Sequence, residues 1–380
     1  AMLPVVGELR PWDDPGVVEI GRRPSHVPLD GFDRRSLDGR WSLELFDHPD
    51  RVPAAALRGD RPRAVTVDVP GNWTVQRGVE DPPHYTNLRM PFPGPPPRTP
   101  DPNPTGVYRR KFEIGAGRFA RRNVLVVGGA ESTHTVFVNG AFVGYGTDSR
   151  LPSEYDVSEH LVPGDNDLAI VVTRYSAQSY VEDQDHWWMA GLHRSVRLES
   201  RPRVHVCDLP IDTGLDTDTG SGFVEATAVV DFGADHAPGW RVRATLVDPS
   251  GRSVGGPQEA EIPHRFFHPY VFEGHRGVVR WDRPRALAWS AETPHRYVVT
   301  VELVDPGGRV RQTEVRRVGV RDLTVRDGRF LVNGRPVRVF GVNRHDHQPD
   351  RGKAVTADDM RADLVMMRRH NITAVRTAHY

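Results

Sequence analysis

Between residues 39 and 199 the apolar positions fall in short runs, interrupted at close spacing by Gly, Pro, Asn and Asp. No stretch there repeats at helical spacing, so the pattern predicts an all-β sandwich. Residues 135–144 place two apolar runs around Asn139-Gly140, a pair that accepts the positive φ angles of a type I′ hairpin turn. Residues 91–104 hold eight prolines; with few backbone donors, this stretch should lie as an extended surface loop. The same grammar returns over 201–320, in apolar runs at 223–232, 240–247, 277–281, 297–304 and 311–318. A second, smaller sandwich is expected.

The pattern then changes. Residues 323–332 and 337–342 read as strands, and Thr356-Ala-Asp-Asp-Met360 opens a helix with a hydroxyl cap and acids in the first turn. Met360, Leu364 and Met367 give that helix one apolar face. Asn371 can end it, and 372–376 reads as another strand. A β-α-β unit of this kind opens a parallel sheet. A complete β/α barrel takes about 250 residues, so 321–380 is either an incomplete barrel or a smaller α/β arrangement.

Composition narrows the classes. Fifty basic and fifty acidic residues cancel, which leaves no global field for nucleic acid or an anionic membrane. Cys207 is the sole cysteine; no intrachain disulfide is possible, and it is expected to be an ordinary buried thiol in a reducing compartment. No apolar run approaches the length of a membrane span, and Ala1-Met2-Leu3-Pro4 lacks a basic segment followed by an apolar one. A cytoplasmic location without membrane or nucleic-acid partners is the expectation. Only Lys111 and Lys353 are lysines, which reads as a composition bias without functional meaning.

The densest polar cluster, Asn343-Arg344-His345-Asp346-His347, follows a strand directly. Arg376-Thr-Ala-His379-Tyr380 follows the next strand in the same relation. Groups at the C-terminal ends of parallel strands surround one mouth, so His345 and His379 should face one cleft. A second cluster, Glu182-Asp183-Gln184-Asp185-His186-Trp187-Trp188, sets acids beside indoles. Carboxylates accept sugar hydroxyls and aromatic rings cover sugar C–H faces; the plainer alternative is a solvated acidic loop with its Trp pair in the core. His345 and His347, with His379 as a third ligand, would also suit a metal-dependent barrel hydrolase. Asn72-Trp-Thr74 matches a glycosylation pattern without any sign of secretion. Nucleophile-elbow, Walker and paired-Cys motifs are missing, so generic hydrolase, nucleotidase and zinc-finger readings lack support.

At 341–347 and 376–380 the chain resembles glycoside hydrolase family 2 of the large β-galactosidase type. Tyr85-Thr-Asn87, Asn103-Pro-Thr-Gly106, Val143-Gly-Tyr145, 148–154, Glu182-Asp-Gln-Asp185 and Trp289-Ser-Ala-Glu292 stand in the order of that family. The resemblance implies a mainly β chain: an arm over 1–38, a jelly-roll sugar-binding domain over 39–200, an immunoglobulin-like sandwich over 201–320, and the first units of a truncated (β/α)8 barrel over 321–380. It implies that Asn87, Asp185, His345 and His379 bind substrate, with Arg376 in support and Asp185 on a sodium ion. The nucleophile, the acid/base and the magnesium ligands are expected after Tyr380. The implied activity is retaining hydrolysis of terminal β-galactosides by a homo-oligomer. A non-catalytic carbohydrate-binding protein using Asp183, Asp185 and Trp187 stands as the alternative from another class.

Overall fold

The computed structural model describes residues 10–59, 61–233, 236–263 and 274–379. Ala1-Met2-Leu3-Pro4 and Tyr380 lie outside the described residues. The chain divides into two compact units: Ala1–Ser25, Asp33–Ser200 and Gly341–Tyr380 form one, and His26–Phe32 with Arg201–Phe340 form the other.

The first unit is built on a two-sheet sandwich. Its seven-stranded sheet runs Glu19–Ile20, Ala141–Gly146, Thr133–Val138, Gly164–Thr173, Thr105–Ile114, Gly39–Phe46, Val65–Val69 in spatial order. The facing sheet runs Asp33–Ser36, Val196–Arg201, Arg122–Val127, Ser153–Asp156. Residues read as an arm therefore supply a strand to each sheet. The central strand Gly164–Thr173 is apolar along its second half because both of its faces are covered. Leu168, Ile170 and Val172 enter the core between the sheets. Ala169 and Val171 pack instead with Val52, Ala56, Leu57, Val107 and Phe137 on the outer face. The Asn139-Gly140 turn has φ of 51° and 73° and joins two paired strands, as the residue pair predicts.

In the second unit strict alternation governs. Val224, Ala226, Ala228 and Val230 point inward from Gly222–Asp231, and Tyr297, Val299, Val301 and Leu303 from Tyr297–Val304. Each meets the other in a single core, as half-buried antiparallel strands require. All five apolar runs expected here are strands. Cys207 is half-buried, and its thiol lies 3.4 Å from the Val229 carbonyl oxygen.

Two strand expectations need correction. Residues 323–332 form a hairpin, Leu323–Arg326 with Arg329–Val332, folded at Asp327-Gly328. Both turn residues have positive φ, 50° and 69°, which an Asp-Gly pair allows. Residues 337–342 are not one strand: pairing begins only at Gly341–Arg344, which lies parallel to Ala374–Thr377 with Arg344 opposite Thr377. Between them the helix Ala357–Arg369 starts at Thr356, which exchanges hydrogen bonds with Asp359 in a capping box. Asn371 stands just past its end with φ of 59°.

Candidate functional site

Within the first unit, a cavity of about 370 Å3 is lined by Tyr85, Arg150, Asp185, His186, Trp187, His345, Asp346, His347, Lys353 and Ala378. Sandwich loops and the ends of both parallel strands thus share one space. A wider cleft of about 930 Å3 lies in the second unit, but its Arg280 is matched by Asp282 and Glu225, and it has neither a sugar-stacking Trp nor a His.

The sandwich wall is fixed by a short antiparallel bridge. His84 and Trp188 exchange backbone hydrogen bonds of 3.1 and 2.7 Å, and the Trp188 indole N–H donates to Thr86 Oγ1 at 3.0 Å. This holds Tyr85 beside the 185–187 loop. The Tyr85 hydroxyl donates to Asp185 Oδ1 at 2.5 Å, and that bond is the main cause raising the Tyr85 pKa. Trp187 stands 43% exposed with its ring 5.8 Å from Tyr85, whereas Trp188 is core. The indole pair therefore divides its work: one ring packs and the other lines the cavity. Of the acids in the cluster, Glu182 is held inward by the Ser149 hydroxyl and amide at 2.5 and 2.9 Å. Burial raises its pKa. Asp183 is not among the lining residues.

The opposite wall comes from the parallel strands. His345 follows Arg344 directly, and its ring meets the His379 ring edge-on at 5.7 Å. His379 itself is not a lining residue; Ala378, at the level of His345 across the pair, is. Asp346 is engaged on both oxygens, by Arg344 at 2.5 Å and Arg194 at 3.5 Å. Burial, then Lys353 and His345, lower the pKa of His347. Arg376 is exposed and donates to Asn343 Oδ1 at 3.4 Å. Asn87 is exposed and outside the lining. The structure thus sets Asp185 and His345 on one cavity, with His379 against His345 and with Asn87 and Arg376 outside the lining.

Sequence reasoning passed over Tyr85, Arg150, His186 and above all Lys353 as individual site groups. Lys353, set aside as compositional, lies with its side chain 5% exposed and bonds Glu131 Oε1 at 2.6 Å. Its isolation in the sequence hid it. His186 accepts at Nε2 from Arg150 at 2.9 Å and faces the Trp187 carbonyl through Nδ1 at 3.1 Å. An arginine can only donate, so the proton sits on Nδ1. Burial, Lys353 and Arg150 lower the His186 pKa to about 4, which keeps the His186 ring neutral at pH 7.

The arrangement suits a polar ring with one apolar face. Asp185 can accept from hydroxyls, Trp187 has an exposed ring face, and the imidazoles can donate or accept. It does not suit a zinc centre: among the described residues no group of three or more His, Cys, Asp or Glu side chains is placed to hold a metal ion. His345 and His347 line the cavity, whereas His379 meets His345 edge-on and is not a lining residue. Asp185 offers a hard oxygen donor of the kind an alkali cation takes. The two lining carboxylates are both engaged, Asp185 by Tyr85 and Asp346 by Arg344 and Arg194.

Three family models match the chain in succession. Residues 34–202 match the description "Glycosyl hydrolases family 2, sugar binding domain", 204–321 match "Glycosyl hydrolases family 2", and 323–380 match "Glycosyl hydrolases family 2, TIM barrel domain". Curated relatives include the beta-galactosidases of Erwinia tasmaniensis, 35% identical over 98% of this chain, and Aeromonas hydrophila, 36% identical over 97%. The chain spans 37% of the length of each. Among solved structures, a beta-glucuronidase of Bifidobacterium dentium in complex with coumarin-3-O-glucuronide superposes with TM-score 0.74 at 21% identity, covering 93% of this chain and 59% of that one. Ruminococcus gnavus beta-glucuronidase gives 0.70 at 20% identity, over 94% and 57% of the two chains. At these identities the structural likeness concerns the fold.

Proposed function

From the premise that this chain belongs to glycosyl hydrolase family 2, we propose that it is the N-terminal portion of a retaining β-galactosidase acting on terminal, non-reducing β-D-galactosides. Its fold is mainly β: a jelly-roll sugar-binding domain, an immunoglobulin-like sandwich and the start of a (β/α)8 barrel. The observation that carries the proposal is the cavity with Asp185 and Trp187 on one side and His345 on the other. Relatives bearing the β-galactosidase name align over nearly the whole chain.

Retention requires one carboxylate to attack the anomeric carbon while a carboxylic acid protonates the leaving oxygen. The proposal places both groups after Tyr380. The residues of this chain bind and orient. Asp185 accepts from ring hydroxyls, held in place by Tyr85, and Trp187 covers an apolar sugar face. His345, buttressed by His379, adds a contact that tightens as charge develops at the ring. Asn87 and Arg376 enter through the resemblance, as a sugar contact and a support. The resemblance likewise supports a sodium ion at Asp185, magnesium ligands after Tyr380 and a homo-oligomer, and the sole cysteine, Cys207, favours a reducing, cytoplasmic location. When bound, sodium would supply a fixed positive charge for sugar hydroxyl oxygens. Among the described residues no helix is long and apolar enough to cross a membrane.

Hydrolysis of nitrophenyl β-galactoside and nitrophenyl β-glucuronide by the complete protein tests the proposal. Turnover should favour the galactoside, and the 380 residues alone should show none. Preference for the glucuronide would move the substrate class. Activity of the isolated 380 residues would overturn the location of the carboxylates.

A further inference from the structure

Residues 348–354 form a tight loop in which Gln348 and Gly352 exchange backbone hydrogen bonds of 2.7 and 2.9 Å. Its tip, Asp350 and Arg351, is exposed, yet Gly352, Lys353 and Ala354 are buried. They are buried in the sandwich. The Lys353 amide donates to Asn72 Oδ1 at 2.7 Å, and the same Asn72 side chain donates to the Ala190 carbonyl at 3.3 Å. Gly352 takes φ of +62°, and an added Cβ there would stand 2.6 Å from Met189 Sδ and 2.7 Å from Asn72 Oδ1. A side chain does not fit, so the backbone itself is seated against the sandwich. Asn72, a glycosylation match in the sequence, is wholly buried in this role.

At the bottom of the seat Lys353 meets Glu131, with side chains 5% and 7% exposed. Burial would raise the Glu131 pKa, but Lys353, Arg150 and His193 overcome it and hold it at about 2. The pair is therefore ionic at pH 7, and its near-complete burial leaves little water to take the place of either member. Lys353 Nζ also stands 3.4 Å from Nδ1 of His186. That nitrogen carries the proton, so the contact is not a hydrogen bond. It is instead a steric and electrostatic stop behind the ring that follows Asp185. The loop begins one residue after His347, and so the seat controls where the His345 side of the cavity lies relative to the Asp185 side.

We propose that Glu131 and Lys353 are a positioning pair: their buried contact seats the 348–354 loop in the sandwich and fixes the separation of the two cavity walls that grip the sugar. This rests on the functional reading above. Neither residue touches the reacting bond. Removing either partner leaves a buried charge uncompensated, and the loop then lifts to hydrate it.

The test uses the complete protein with Lys353→Met, Glu131→Gln, the double substitution and Lys353→Arg. Hydrogen exchange should rise at 184–188 and 345–356 in each neutralising single variant and remain unchanged in the second unit. KM for nitrophenyl β-galactoside should rise roughly tenfold with kcat altered less than about threefold, and the double variant should be no worse than the poorer single one. Lys353→Arg, which keeps the charge, should reverse most of the KM rise seen in Lys353→Met, and Glu131→Gln carries the test if the Met variant does not fold. Losses that multiply in the double variant, or exchange that rises everywhere or nowhere, would overturn the pair. Should the unsubstituted protein leave the galactoside untouched, the functional reading falls, while the exchange pattern still decides for or against the pair.

Discussion

The Tyr85 hydroxyl holds Asp185 from 100 residues away in the sequence, by a 2.5 Å hydrogen bond at the mouth of the cavity. One carboxylate oxygen is thereby committed, and the orientation of the other is set. Tyr85→Phe should preserve the ring contact with Trp187 and release the carboxylate. Sugar affinity should fall roughly tenfold, as for loss of a hydrogen bond to a charged group. Titration of the complete protein with a non-hydrolysable thiogalactoside checks this, and unchanged affinity would remove Tyr85 from the site.

Asp185→Asn keeps the shape of the side chain and removes its charge. Hydroxyl donors then lose a charged acceptor, and kcat/KM should fall by about two orders of magnitude. Asn87→Ala should have a smaller effect, because Asn87 is not among the cavity-lining residues. Steady-state kinetics on nitrophenyl β-galactoside orders the two; equal losses would place Asn87 on the sugar as firmly as Asp185.

Two buried histidines, His134 and His193, and the half-buried His186 make the first unit acid-labile. Burial, then Arg22, lowers His134 to about 3; burial, then Arg150, lowers His193 to about 3; burial, Lys353 and Arg150 lower His186 to about 4. The unfolded chain binds their protons near pH 6.5, so below that pH the unfolded state holds more protons than the folded one. Stability is complete above about pH 6.5 and declines as pH falls toward these values. Glu131, held at about 2 against an ordinary 4.5, adds its own loss below about pH 4.5. Each proton contributes a slope of about 1.4 kcal/mol per pH unit. Urea midpoints between pH 7 and 4 should show the decline, and His193→Leu should flatten it by one such proton. A pH-independent midpoint would contradict the burial of these rings.

Gly352→Ala tests the seat of the 348–354 loop sterically. The positive φ and the crowded Cβ position together should cost about 2–4 kcal/mol. Thermal unfolding of the complete protein measures it. A change under about 0.5 kcal/mol, the range of an ordinary surface substitution, would mean that the backbone is not held against Met189 and Asn72.

Much of the fold was written in the spacing of apolar residues. Alternation at 223–232 and 297–304 gave strands because only one face of each is buried. Asn139-Gly140 and Thr356 marked a turn and a cap because their chemistry is local. Residues 337–342 misled for the opposite reason: Val339 and Phe340 are 65% and 63% exposed, so their apolar character reflects no strand ladder in the described residues. At the site, Asp185, Trp187 and His345 stand in dense clusters and could be read. Lys353 could not, because its meaning depends on Glu131, 222 residues distant. A single lysine between Gly352 and Ala354 carries no local pattern.

A crystal structure of the complete protein bound to a galactose-type ligand tests the shared grip most directly. The account predicts one pyranose ring within hydrogen-bond distance of both Asp185 and His345, with Trp187 against its apolar face. A ring held by either wall alone, with the other out of reach, would contradict it.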